Sequence, residues 1–170
     1  METADAAWAP YAKSHGYTLR ASNDDHPTRV SGKRDEVSIA FELASHAGDW
    51  GITAVGVPLA PVHVRLELAP EGVMSKIGKL FGSQDIVLGE KAFDDRYMVK
   101  GTNEEGARKV LVHETRAAML DLGVTTFTYD DGSSKERSAV IVASIPTLFT
   151  EPAQLDRLVD FLVAVAKIHP

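Results

Sequence analysis

Hydrophobic and polar positions alternate strictly in two segments of the first half of the chain. Apolar residues occupy every second position of residues 37–43, and again of residues 62–68. A period of two sends alternate side chains to opposite faces of a strand. The pattern therefore predicts two strands with one buried and one solvated face, as antiparallel sheets often have.

The segments around these two strands predict a β-meander preceded by a helix. Residues 52–59 read as a further strand, and residues 17–21 and 28–32 as weaker ones. Residues 4–15 predict a short helix that Pro10 interrupts and Gly16 ends.

The second half alternates helical and strand patterns. Residues 73–81 predict about two turns of helix, and short strands at residues 85–88 and 96–100 flank a turn at Phe93-Asp94-Asp95. Thr102 as the N-cap, with Glu105 three residues later, forms a capping box for a helix that runs to Leu122.

A hairpin and a second long helix complete the chain. Strands at residues 124–129 and 139–145 flank a polar loop at Ser133–Arg137. Thr150, followed by Glu151 and Pro152, opens a C-terminal helix that is apolar on several sides. Such a helix packs between a sheet and a further layer, for which a second subunit is one candidate.

This order of elements predicts the α+β class: a largely antiparallel β-meander, then a helix, a β-hairpin and a C-terminal helix that packs on the sheet. We expect a single domain over residues 1–170, with a β-rich part at 1–70 and an α+β part at 71–170.

Composition and charge exclude several classes of function. The chain has 170 residues, no cysteine and a net charge of −6, and each half has three more acidic than basic residues. This balance argues against nucleic-acid binding, which needs a clustered positive face. The N-terminus lacks the features of a signal peptide, so we expect a soluble cytoplasmic protein.

Motifs for catalysis, metals and cofactors are missing. The chain has no phosphate-binding glycine loop and no Gly-x-Ser-x-Gly elbow. His113-Glu114 resembles the start of a zinc helix, but the second histidine is replaced by Ala117. We therefore assign no catalytic residue, no metal ligand and no cofactor, and the sequence favours a non-enzymatic role.

Acidic pairs in turns supply the alternative of a small hydrolase-type or metal-assisted enzyme. The pairs are Asp24-Asp25, beside His26, and Asp94-Asp95, whereas Asp130-Asp131 belongs to an ordinary hairpin turn. Carboxylates do acid–base chemistry only when they meet at one reacting centre in different environments. The enzymatic alternative therefore requires the loops that carry these residues to meet at one site in the fold.

The segment Val73–Phe81 is basic and amphipathic, and Lys76 and Lys79 are its charged residues. A peripheral membrane-binding segment has this composition. Two lysines add only about 2 kcal/mol of attraction to an anionic leaflet, so membrane binding is a disfavoured alternative.

One stretch of the chain has a recurring order of motifs: Ile77 to Ile86, Gly89, Phe93-Asp94, Val99-Lys100-Gly101, Glu105 and Arg108. On these residues the chain resembles a group of uncharacterised bacterial proteins. The resemblance is most specific over residues 72–122, although Tyr97 and Glu90 replace the Phe and Asp expected there. It implies one folded unit and no assigned activity.

Two cations of this stretch, Lys100 and Arg108, flank the start of the predicted helix, where an anion or a partner could bind. Lys76 and Lys79 are further candidates for contact with an anion or a partner. Our leading hypothesis is a soluble protein-binding or self-associating module. A protein partner or a second copy is expected, and the small-molecule ligand, if one exists, is not identifiable.

Overall fold

Nine strands and six helices are present in the computed structural model, which describes residues 2–46, 48–74, 84–133 and 137–170. The strands are β1 (Thr18–Arg20), β2 (Arg29–Arg34), β3 (Val37–His46), β4 (Asp49–Gly56), β5 (Arg65–Ala69), β6 (Gln84–Asp85), β7 (Met98–Gly101), β8 (Thr126–Asp130) and β9 (Val140–Ile145). The helices are α1 (Glu2–His15), α2 (Glu71–Met74), α3 (Lys91–Asp94), α4 (Glu104–Val110), α5 (His113–Leu122) and α6 (Pro152–Ala166).

The strands form one antiparallel sheet in the order β1-β2-β3-β4-β9-β8-β5-β7-β6. Strands β1 to β4 follow one another as a meander, and the hairpin β8–β9 lies between β4 and β5. Helix α6 packs on β3, β4 and β9. These features confirm the predicted α+β class with a C-terminal helix on the sheet.

The core lies between one face of the sheet and the helices. In-register pairing aligns Phe41, Ala54, Ala143, Phe127 and Leu68 in a row across five strands, and all five are buried. Because side chains alternate along each strand, the residues between them point away from the helices.

Helix α1 is continuous, so the prediction that Pro10 interrupts it is wrong. Proline removes one helical hydrogen bond, to the carbonyl of Ala6. Ala6 and Pro10 are both exposed, where water can satisfy that carbonyl. The inward side of the helix packs Trp8 edge-on against Phe41, with the ring centroids 5.0 Å apart. Gly16 ends the helix as predicted, with φ +69°.

The segment predicted as one helix over residues 102–122 forms two helices, α4 and α5. The prediction that Thr102 is the N-cap is wrong. Thr102 follows β7 and is bonded to β5 instead, since its hydroxyl accepts a hydrogen bond from the backbone N–H of Arg65. The N-cap of α4 is Asn103, whose side chain accepts from the N–H of Gly106. The break falls at Leu111, and its carbonyl accepts a hydrogen bond from Arg116 of α5 at 2.6 Å.

Helix α6 begins one residue later than predicted. Glu151 rather than Thr150 is its N-cap and forms a capping box with Gln154. The helix contacts the sheet on one side and α5 on another, and Tyr11 of α1 donates a hydrogen bond to Asp156. The further layer over α6 is thus the chain's own helices.

Several short elements differ from the prediction. Residues 62–64 precede β5 instead of starting it, because the N–H of Val62 binds the Tyr129 hydroxyl. Strand β6 ends at Asp85, and Phe93 and Asp94 lie in the one-turn helix α3. Residues 75–81 of the predicted basic helix, and residues 134–136 of the predicted loop, lie outside the described residues.

No helix in the described part of the chain is long and apolar enough to cross a membrane.

The turn between β2 and β3 generates a stability prediction. Asp35 and Glu36 have φ values of 49° and 68°, in the left-handed region that costs a non-glycine residue about 1–2 kcal/mol. Two-residue turns of this kind prefer glycine at the second position. We expect Glu36→Gly to raise the free energy of unfolding by up to about 1 kcal/mol in urea titrations. Glu36→Ala keeps the Cβ and should not raise the free energy of unfolding. If Glu36→Gly and Glu36→Ala were equally stable, the explanation would be refuted.

Candidate functional site

The two cations predicted to bind an anion both contact the segment of residues 85–88. Lys100 lies 3.6 Å from a carboxylate oxygen of Asp85. Arg108 donates to the carbonyl of Val87 at 2.9 Å and ion-pairs with Glu104 at 2.8 Å. An anion at this position would compete with these partners, and the anion site stays a prediction. Lys76 and Lys79 lie outside the described residues.

Asp94 binds the same segment from the other side. Its carboxylate accepts hydrogen bonds from the backbone N–H groups of Leu88 at 3.1 Å and Gly89 at 2.7 Å. Asp95 instead pairs with Lys91 at 2.6 Å. Together with Arg108, Asp94 fixes the loop that follows β6. Asp94 and Arg108, which are both among the residues that resemble the bacterial proteins, therefore have a structural role here.

The other acidic loops do not converge with this one into a metal-binding group. Asp24, Asp25 and His26 are exposed, in a turn held by the Asn23 side chain. Asp131 accepts a bond from the N–H of Ser133. Over residues 2–46, 48–74, 84–133 and 137–170, no three His, Asp or Glu residues are grouped to hold a metal ion.

His113, the zinc-helix lookalike, lies on the surface. Its side chain is 73% exposed and is 3.5 Å from the carboxylate of Glu90. That carboxylate is held more closely by Arg116, at 2.7 Å. His113 and Arg116 thus link α5 to Glu90, in the segment before α3.

The face of the sheet opposite the helices carries a surface that sequence reasoning did not single out. We call it the open-face patch and define it by the uncharged outward side chains of the four central strands β3, β4, β9 and β8, together with Val57 just after β4. It has small and β-branched uncharged residues, and a groove of about 250 Å³ lies at its β3 side. Its members are Ser38, Ala40, Thr53, Val55, Val57, Thr126, Thr128, Val140, Val142 and Ser144.

Ion pairs border the open-face patch on both sides. Arg29 of β2 pairs with Glu42 of β3 at 2.9 Å. On the far side, buried Asp130 of β8 lies 3.3 Å from Arg65 and 3.6 Å from Arg137. An uncharged centre inside a polar border is the usual anatomy of a protein interface.

Glu67 of β5 also points outward, next to this border. It forms no hydrogen bond or ion pair with another described residue, and burial raises the pKa of its carboxyl despite the opposing charge of Arg65. The ionised form is therefore destabilised in the folded chain.

Sequence reasoning also missed a polar cluster on the helical side. Arg34 of β2 lies 3.0 Å from Asp160 and 3.6 Å from Asp156, both of α6. His15 and Tyr11 of α1 contact Asp156 as well, at 3.3 Å and 3.0 Å, and burial and Asp156 raise the pKa of the Tyr11 hydroxyl. The cluster ties α1 and β2 to α6. One signal was available: Arg34 occupies an inward position of its strand, where a charge needs a partner.

The raised pKa of Glu67 predicts a pH dependence of stability. The folded chain binds the Glu67 proton more tightly than the unfolded chain does, so stability falls as the pH rises from the ordinary pKa through the raised one. We expect Glu67→Gln to lack this loss in urea titrations between about pH 4 and about pH 7.

The matched control is Glu114→Gln, at an exposed glutamate of α5. It should keep the pH dependence of the unmodified protein. Identical profiles for the Glu67 variant and the control would contradict the assignment.

Comparison with known proteins identifies a fold. No protein-family model matches the chain, and no curated protein matches it either. Among solved structures, the crystal structure of the mycobacterial trehalose monomycolate transport factor A, TtfA, is similar, with a TM-score of 0.64 and 13% sequence identity. The match covers 100% of this chain and 98% of that chain. At this identity the likeness shows that the two chains have the same fold over their whole length.

Proposed function

We propose that this protein is a non-enzymatic binding module, and that the open-face patch is its binding surface. The observation that carries the proposal is the absence of charge from the middle of the outward face. Over residues 51–57 and 140–144 the outward side chains are all uncharged, although the chain as a whole is a quarter charged. Solvated faces of a sheet normally carry charged side chains that keep them apart from other proteins.

Contacts within the fold occupy one of the two candidate catalytic pairs, which supports a non-enzymatic role. Asp94 accepts hydrogen bonds from two backbone N–H groups, and Asp95 pairs with Lys91. Both carboxylates of this pair therefore have partners within the chain.

The structural neighbour agrees with an accessory role. TtfA is described as a transport factor, a term that fits a protein acting through binding. The enzymatic alternative that uses Asp24, Asp25 and His26, and the membrane alternative that uses Val73–Phe81, stay predictions. So do the cytoplasmic location and the resemblance to uncharacterised bacterial proteins.

Site-specific photo-crosslinking tests the proposed function. A photoreactive residue replacing Val142, in the centre of the patch, should form protein adducts in cells that mass spectrometry identifies. The matched control is the same residue at Ala117, which is exposed on α5 on the helical side. Adducts from position 142 in clear excess over position 117 support the proposal. No adducts from 142, or the same adducts from both positions, contradict it.

A further inference from the structure

We infer that the open-face patch binds a second copy of this chain, about a two-fold axis that runs along the strands between β4 and β9. The inference rests on the proposed function, because it names the occupant of the surface assigned there. It follows from the strand order, from two unpaired charges and from the size of the face.

The β4–β9 seam lies near the middle of the sheet and divides the nine strands into four and five. The three strands next to it are β4, β3 and β2 on one side, and β9, β8 and β5 on the other. A two-fold rotation about the seam therefore lays β9, β8 and β5 of the second copy over β4, β3 and β2 of the first. The contact is isologous, so each pairing occurs twice.

The outward side chains are complementary in this arrangement. One in-register row crosses the six strands, and rotation places its two halves over each other: Val55 faces Val142 of the second copy, and Ala40 faces Thr128. Small and β-branched residues thus meet at the centre, where two packed sheets must interdigitate at a spacing of about 10 Å. The row comprises Ser31, Ala40, Val55, Val142, Thr128 and Glu67.

Two unpaired charges lie near opposite ends of the row: Glu67 ends it on β5, and Lys33 is two residues along β2 from Ser31 at the other end. Lys33 of β2 is exposed, points outward and has no ion pair with another described residue. Glu67 of the second copy would lie over Ser31, two residues along the same strand from Lys33. The lysine and glutamate side chains together can span the gap between the sheets. A cation opposite Glu67 would also offset the burial that now raises the pKa of its carboxyl.

The arrangement also brings like charges together. Arg65 occupies the position of β5 that lies over Lys33 of the other copy. The buried carboxylate of Asp130 lies 3.3 Å from Arg65 and 3.6 Å from Arg137. Asp130 therefore offsets one of the two arginines, and Glu67, two residues from Arg65, supplies the second negative charge near Lys33.

The size of the face fits a reversible dimer. Six strands spaced about 4.8 Å apart, with five residues of each in contact, give a footprint of about 500 Å² per copy. The total, about 1,000 Å², is at the lower limit for a specific interface. We therefore expect dissociation on dilution, not an obligate dimer.

Charge exchange tests this pairing. Sedimentation equilibrium of the unmodified protein should show a concentration-dependent dimer. The Lys33–Glu67 pairing occurs twice in the dimer, so either Lys33→Glu or Glu67→Lys places two like charges together at both sites. Each variant should raise the dimer Kd at least about tenfold. The combined variant, Lys33→Glu with Glu67→Lys, should return the Kd to within about threefold of the original. Lys13→Glu, at an exposed lysine of α1, is the matched control and should leave the Kd unchanged.

A second measurement is independent of the charge variants. Because the chain has no cysteine, Ala40→Cys and Thr128→Cys proteins each have one thiol. In the dimer, position 40 faces position 128 of the other copy, whereas two copies of either position lie three strand spacings apart, about 14 Å across the sheet. When the two proteins are mixed, a short bis-maleimide linker should therefore join them as a heterodimer in clear excess over the homodimers.

The outcomes separate this inference from the proposed function. A strict monomer at all concentrations, or a dimer that neither charge reversal weakens, overturns the inference. In either case the photo-crosslinks from position 142 still decide whether the patch binds anything. Adducts there to a different protein alone would support the proposed function and overturn the second copy as its occupant.

Discussion

In-register antiparallel pairing is the constraint on which the rest of this structure depends. Each row of paired residues lies on one face of the sheet. If one strand slipped by one residue, its buried and exposed side chains would change places. The rows through Phe41 and Ile39 are buried across the central strands. Register therefore fixes both the core and the composition of the opposite face.

The helical side of the sheet depends on polar contacts as well as on burial. Arg34 lies on the inward face and is held by Asp156 and Asp160 of α6, and Trp8 donates a hydrogen bond to the carbonyl of Phe149 at 2.8 Å. These bonds connect the first helix, an early strand and the last helix. They orient α1 and α6, and the orientation leaves the open-face patch on the side away from these two helices.

The sequence pattern predicted local structure well where one face of an element is buried. The alternation of residues 37–43 identified β3, and Gly123, with φ +70°, ends α5 as its type and position indicated. Prediction failed where side-chain contacts compete with the local sequence signal. Thr102 is bonded to Arg65, 37 residues away in the chain, and the cap falls at Asn103 instead. At the break, the carbonyl of Leu111 accepts a hydrogen bond from the side chain of Arg116.

The open-face patch was harder to predict than the fold. Its residues come from four strands whose order is not their order in the chain, because the hairpin β8–β9 enters beside β4. The alternation showed that the positions between the core residues face solvent. It could not show that Val55 and Val142 lie side by side. The patch forms only because the strands that carry these two residues are adjacent in the sheet.

The central claim is that this face is covered in the working protein. The most direct test is the rate at which a thiol reagent labels Val142→Cys, the sole cysteine of that variant, as the protein concentration rises. We predict that the rate at position 142 falls with concentration, while the rate of Ala117→Cys stays constant. Labelling at position 142 that is fast and independent of concentration would contradict the account.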